Sequence, residues 1–463
     1  MSATQTMAVQ ASPWVDRKRY WWLLSPAIPL AGLASVLAVI NGAPGWLLWT
    51  LPVIFYVIAP IMDLVIGEDS VNAPESAVSA LENDKYYLRI VYAYLPSQYL
   101  MTVAAAWLAV SGTLSGIEWL ALILGTGIAN GVGINTAHEL GHKTHSFERW
   151  MAKLTLAPVA YGHFFIEHNK GHHKNVATPE DPASSRMGES FWAFLPRTVI
   201  GSVRSAWGIE RGRLERIGGR VLSLDNELIQ AWGMTVLLFG ALSLWLGPVA
   251  LLFLIAQAIF GFSLLEVVNY LEHYGLCRQK LPSGRYERCQ PRHSWNSNHV
   301  VTNLLLYQLQ RHSDHHANPT RSFQALRHFD DSPQLPSGYA AMILLAYFPP
   351  LWFRVMDPKV AAHHRGDLRG ANLQPSQRNR LMTRWHTADD SPVDTATDSA
   401  APSPEASATS DAMQCPNCAY IYRAEQGCPH EGYPAGTHWS ALPESFQCPD
   451  CAVRDKPDFK PAH

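Results

Sequence analysis

The sequence predicts an all-α integral membrane domain of six transmembrane helices, followed by a small C-terminal unit organised by a metal. Three observations carry this prediction. Six apolar runs contain no Lys or Arg and are each long enough to cross roughly 30 Å of hydrocarbon as a helix. Histidines gather at the ends of the fourth and sixth runs and in two polar segments predicted on the same side. Two CxxC pairs near the C-terminus supply four thiolates.

The first run, 20–40, follows Arg17-Lys18-Arg19 and holds no charge at all. It resembles the first two parts of a signal peptide. A second run, 45–66, follows after a short turn with no clear cleavage site, so an uncleaved hairpin of two spans is expected. Asp63 lies near the inner end of that second run, where an acid is either functional or hydrated at the interface. The third and fourth runs are 90–111 and 117–137. The fifth and sixth, 228–246 and 249–271, meet at Gly247-Pro248. A seventh apolar stretch, 339–355, is interrupted by Pro349-Pro350 and reads as interfacial or re-entrant rather than as a span. Residues 387–412 hold Pro, Ser, Thr, Ala and six acids with no Lys or Arg, a composition that cannot bury a core and predicts a flexible linker. The expected units are 1–386, 387–412 and 413–463.

Positive charge is distributed lopsidedly. Lys and Arg are absent from 20–84, 90–142 and 221–277. With six spans, every basic residue falls on one side, which the positive-inside rule makes cytoplasmic. Both termini and all the histidine clusters share that side, as expected for a multi-pass protein of a bacterial-type inner membrane. A net charge of −2 implies no nucleic-acid partner. Of seven cysteines, Cys277, Cys289 and Cys428 show no pairing pattern, which suits a reducing compartment.

The histidines occur as His138 and His142; His168, His172 and His173; His273; and His312, His315 and His316. Residues three and four apart share a helix face, so 138/142, 168/172 and 312/315/316 can each converge on one point. Neutral imidazole suits iron, zinc, copper or nickel. His138-Glu139-Leu140-Gly141-His142 also matches the HExxH pattern of zinc proteases. That reading leaves seven histidines unexplained, and nine imidazoles are too many for one ion, so two adjacent metals are expected. Glu139, Glu167, Glu272 and Asp314 neighbour the histidines and are candidates to accept their second ring N–H. His145, His163, His293 and His299 lack partner spacing and are expected not to ligate. In the tail, Cys415, Cys418, Cys448 and Cys451 suit a tetrahedral iron or zinc, and spacing alone leaves a zinc ribbon open.

The four motifs HELGHK at 138–143, EHNKGHHK at 167–174, NYLEHYGL at 269–276 and LQRHSDHHA at 309–317 resemble those of membrane alkane 1-monooxygenases. These are non-haem di-iron enzymes grouped with membrane fatty-acid desaturases and hydroxylases. The likeness runs over about 15–375. It implies terminal hydroxylation of medium-chain alkanes with O2, two irons, and the nine histidines as their ligands. Lys170 stands where Arg is common. Residues 413 to about 460 resemble a rubredoxin, a small one-iron β domain that carries electrons. Tyr420, Tyr422, Pro434, Gly436 and Phe459 support that likeness, whereas Ala419 and Ala452 stand where Gly is usual and Phe446 where Trp is usual.

The implied assembly is a hydroxylase fused to its own electron donor, recharged by an NAD(P)H-dependent flavoprotein rubredoxin reductase. Its alkane arrives from the membrane lipid, and Ile54, Val57 and Ile58 on the second run are candidate channel residues. No basic residue in the spans is placed to anchor a carboxylate, which favours alkanes over fatty acids. Docking of a slightly acidic tail on the basic stretch from Arg354 to Arg384 is expected. A fatty-acyl desaturase or other lipid hydroxylase is the alternative, and a zinc protease with a zinc-ribbon tail a more distant one.

Overall fold

The structure, a computed structural model, describes residues 14–387 and 412–462. α1 (Trp21–Ile40) and α2 (Gly45–Ile66) form the expected hairpin. α3 (Lys85–Ala109), α4 (Gly116–Gly141), α5 (Phe191–Arg216), α6 (Glu227–Leu246) and α7 (Pro248–His273) follow. α1, α2, α4, α6 and α7 are long and apolar enough to cross a membrane. α3 has the length for a sixth span, but its tyrosines and Ser97, Gln98 and Thr102 make it more polar. Beyond α8 (His312–Ala317), α9 (Tyr339–Ala346) and α10 (Pro349–His363) meet at a 120° bend, so the seventh apolar stretch is not one straight helix.

Helix boundaries are set by local chemistry. Asp84 starts α3 by accepting from the Tyr86 N–H at 2.9 Å. Ser115 and Glu118 form a reciprocal capping box on α4. Asn226 accepts from the N–H groups of Leu228 and Ile229 at the start of α6. Gly247, at φ 91°, and Pro248 then turn the chain into α7. Asp63 caps another element from a distance. It is fully buried and accepts from the Val301 and Thr302 N–H groups at 2.8 and 3.0 Å, a structural role rather than a hydrated one.

α4 and α7 are the central pair. A Cβ on Gly131 would stand 2.6 Å from the Gly261 carbonyl oxygen, and one on Gly127 2.9 Å from that of Gln257. Within lipid there is no hydrophobic gain from pairing helices, so association relies on this close backbone approach and on polar contacts between helices. Asn130 on α4 supplies one, donating to Gln257 Oε1 on α7 at 2.7 Å. The pairing brings the C-terminal ends of both helices, with their histidines, to the same end of the bundle. Beneath them lies an apolar core including Leu51, Phe55, Tyr94, Ile128, Val132, Leu264 and Val268.

The tail is a three-stranded antiparallel sheet, β1 (Ala412–Gln414), β2 (Ile421–Arg423) and β3 (Lys460–Pro461), in the order β2-β1-β3. Tyr422, Leu442, Phe446 and Phe459 fill its small core with the four cysteines of the CxxC pairs. The expected linker falls outside the described residues except for its ends, Thr387 and Ala412.

Candidate metal centre

Nine histidines converge on two adjacent points. His138, His142, His168, His173 and His315 bring ring nitrogens within 4.8 Å of one another, and His172, His273, His312 and His316 do the same. His138 and His142 come from the end of α4, His273 from the end of α7, and the last three from α8. The grouping differs from the helical expectation at two places. Residues 167–172 form a π turn, whose wider i→i+5 repeat puts His168 with His173 and sends His172 to the other group. On α8, His312 and His316 share one point, while His315 reaches the other.

The distances test whether the donors fit cations. His138 Nε2 and His315 Nε2 are 2.8 Å apart, as are His312 Nε2 and His316 Nε2. His168 and His315 approach His173 Nε2 at 3.0 Å each. Two nitrogens at such a distance can share one proton at most. Nε2 of His142 and of His172 are buried without any hydrogen-bond partner. Burial, with the neighbouring imidazoles, pushes His142, His168, His173, His312, His315 and His316 well below the usual imidazole range, so they are neutral and have lone pairs to give. The donor set fits two imidazole-bound metals, consistent with a non-haem di-iron centre.

The acids divide by role. Glu139 lies behind His138, 3.7 Å from Nδ1, and accepts from the Phe323 N–H at 3.3 Å. It faces away from the convergence point, so the protease reading loses its general base. Glu272 receives the Tyr339 hydroxyl at 2.9 Å and stands 3.1 Å from His312 Nε2. Burial pushes the Glu167 carboxyl up to about 8. Asp314 turns to other partners: Arg321 Nη1 donates to both its oxygens at 2.8 Å and the Arg327 N–H to Oδ2 at 2.8 Å, pinning the loop after α8. Asp181 is the acid that sequence reasoning missed. It accepts from His172 Nδ1 at 2.9 Å and from Ser184 Oγ at 2.6 Å. No spacing rule marks it, because it reaches back from a loop nine residues further on. His145, His163, His293 and His299 belong to neither group, although the His293 carbonyl oxygen lies 3.5 Å from His273 Nδ1.

Among the candidate channel residues, Ile54 is half-buried against the apolar core. Val57 and Ile58 are not interior: they are 49% and 46% exposed on the outer face of α2, where a short π segment turns the helix. Leu51 and Phe55, at 2% and 3%, face inward from this helix, as do Leu48 and Ala59.

In the tail, Sγ of Cys415 and Cys451 are 3.7 Å apart and those of Cys418 and Cys448 3.5 Å. A tetrahedron with metal–sulfur bonds of about 2.3 Å has edges of about 3.8 Å, so the four thiolates fit one metal. Ala419 and Ala452 adopt left-handed φ of 61° and 55°, the positions where Gly would be unstrained. The tail rests against the rim of the histidine site, not on the Arg354–Arg384 stretch. Glu431 pairs with Lys170, which lies between His168 and His172, and with Arg216 at 3.2 Å. Asp458 pairs with Arg288 at 2.7 Å. The displaced stretch has local partners, Arg369 with Asp367, and Arg380 and Arg384 beside Asp357.

Comparison with known proteins agrees with both parts. The fatty acid desaturase family matches residues 116–346, and the rubredoxin family matches 412–459. An alkane 1-monooxygenase of Acinetobacter baylyi is 48% identical over 81% of this chain and 93% of its own length. Alkane 1-monooxygenase 1 of Alcanivorax borkumensis is 51% identical over 79% and 90%, and an alkane 1-monooxygenase of Pseudomonas putida 46% over 83% and 96%.

Proposed function

The chain belongs to the alkane 1-monooxygenase family, and on that premise we propose that it hydroxylates the terminal carbon of medium-chain n-alkanes at two irons held by its nine histidines. The observation that carries the proposal is the division of those histidines into two adjoining groups above an apolar core. When bound, the irons would supply activation of O2, which no side chain here can provide.

The chain's own residues do the rest. Neutral imidazoles would hold the cations, and Asp181 fixes the ring of His172 by accepting a hydrogen bond from its Nδ1–H. Leu51, Phe55 and their neighbours exclude water and give an alkane an apolar bed reached from the bilayer. The Lys170–Glu431 contact seats the rubredoxin unit beside the π turn that carries His168 and His172, the short way for an electron to arrive. Four thiolates hold that unit's single iron, and a flavoprotein reductase recharges it. Basic residues confined to one side of the spans support a cytoplasmic site and cytoplasmic termini, in an inner membrane.

Purified protein loaded with iron and given octane, O2, NADH and a rubredoxin reductase is expected to form 1-octanol. An unsaturated lipid product in its place would support the desaturase reading, which the match of residues 116–346 to that family keeps as the second choice.

A further inference from the structure

Glu266 is a carboxyl in the apolar interior of α7, 1% exposed and paired with no cation among the described residues. Acids at such a position are expensive and tend to mark a functional pathway. It lies seven residues before His273, close to two full turns, so both project from the same face of α7 about 10 Å apart. Three side chains converge on it. Tyr161 donates its hydroxyl to Oε1 at 2.6 Å, Thr198 donates to Oε2 at 2.8 Å, and Asn269 Nδ2 to Oε2 at 3.3 Å. A cavity with room for about one water joins Glu266 to the backs of His168 and His172, with His163, Ser202 and Asn269 on its wall. Thr198, Ser202 and Ser205 stand four and three residues apart on α5, a hydroxyl seam along one face.

The reaction needs this kind of device. An alkane, O2, two electrons and two protons give an alkanol and water, so each turnover consumes two protons at a site walled by apolar helices. Resting on the hydroxylase reading above, we propose that Glu266 stores a proton and passes it, through the cavity water, to the oxygen atom that leaves as water. The hydroxyl seam on α5 refills it. A purely structural carboxyl would need its hydrogen bonds but not a mobile proton, and that difference is measurable.

The test uses the full chain with bound iron. Glu266→Gln keeps the shape, lets the amide oxygen accept from Thr198 and Asn269 while the Tyr161 hydroxyl turns to accept from the amide nitrogen, and removes the exchangeable acid. We expect iron content and alkane chain-length preference as in the wild type, turnover about 100-fold or more slower, a larger solvent isotope effect in D2O, and substantial recovery in Glu266→Asp. Wild-type turnover in Glu266→Gln overturns the proposal, as does slower turnover with an unchanged isotope effect. If Glu266→Gln loses iron, Ser202→Ala on the cavity wall decides: slow turnover with a raised isotope effect supports the relay, and wild-type turnover overturns it. A wild-type protein that forms no alkanol refutes the hydroxylase reading instead, before any variant is compared.

Discussion

Replacing Gly131 by Ala tests how the fold positions the metals. The new methyl would stand 2.6 Å from the Gly261 carbonyl oxygen, where tolerable contact begins near 3.4 Å, so α4 and α7 must separate by about 0.8 Å. That is rigid backbone on both sides, and overpacking of this kind typically costs about 1–3 kcal/mol. The helices carry His138 and His142 on one side and His273 on the other, so the displacement passes directly to the two histidine groups. Misplacement on the order of 1 Å can lower a rate about 100-fold. We therefore expect a folded protein with less bound iron and alkane turnover reduced about 10- to 100-fold, measured by metal analysis and 1-octanol formation. Gly233→Ala and Gly240→Ala, where nothing lies within 4 Å of the added carbon, are the controls and should be silent. Wild-type iron and turnover in Gly131→Ala would refute the claim that this glycine contact sets the spacing of the site.

Further expectations follow from named contacts. His273→Ala should abolish turnover and lower bound iron, whereas His145→Ala, outside both histidine groups, should change neither. Asp181→Asn should weaken iron retention about 10- to 100-fold in a chelator titration, because His172 loses its anionic acceptor. Phe55→Leu should shift the preferred alkane to longer chains, while Val57→Trp, on the exposed face, should leave the product profile unchanged. Lys170→Glu should slow reoxidation of the tail iron about three- to tenfold in stopped-flow absorbance, and the wild-type rate should fall with added salt.

The histidine clusters and the hairpin order were legible because they depend on local composition. A span needs an uncharged run, and a histidine site shows itself by spacing. The division of the histidines was not legible, because the π turn at Glu167–His172 changes the repeat from that of an α-helix, and only the folded backbone reveals it. Asp181 was hidden for a different reason: it acts from a loop, where no periodicity applies. Signals were present for two other features. Gly127 and Gly131 form a small-x3-small pattern facing Gly261, the sequence mark of close helix packing in a membrane. Glu266 is a lone acid in an apolar run, two turns before a ligand. The outward turn of Val57 and Ile58 could not be read, since a helix that is apolar all round does not announce its inner face. The docking surface was misplaced because counting basic residues ignores those already paired, as Arg369 is with Asp367.

The central claim is that the nine histidines hold two metals that insert an atom of O2 into an alkane. It is tested most directly by a single turnover of the purified, iron-loaded, chemically reduced protein with octane and 18O-labelled O2. The account predicts 1-octanol carrying one 18O atom, bound iron near two per chain in addition to the tail's one, and no product from His273→Ala. Octane left unchanged by a fully iron-loaded protein, or octanol whose oxygen comes from water, would contradict it.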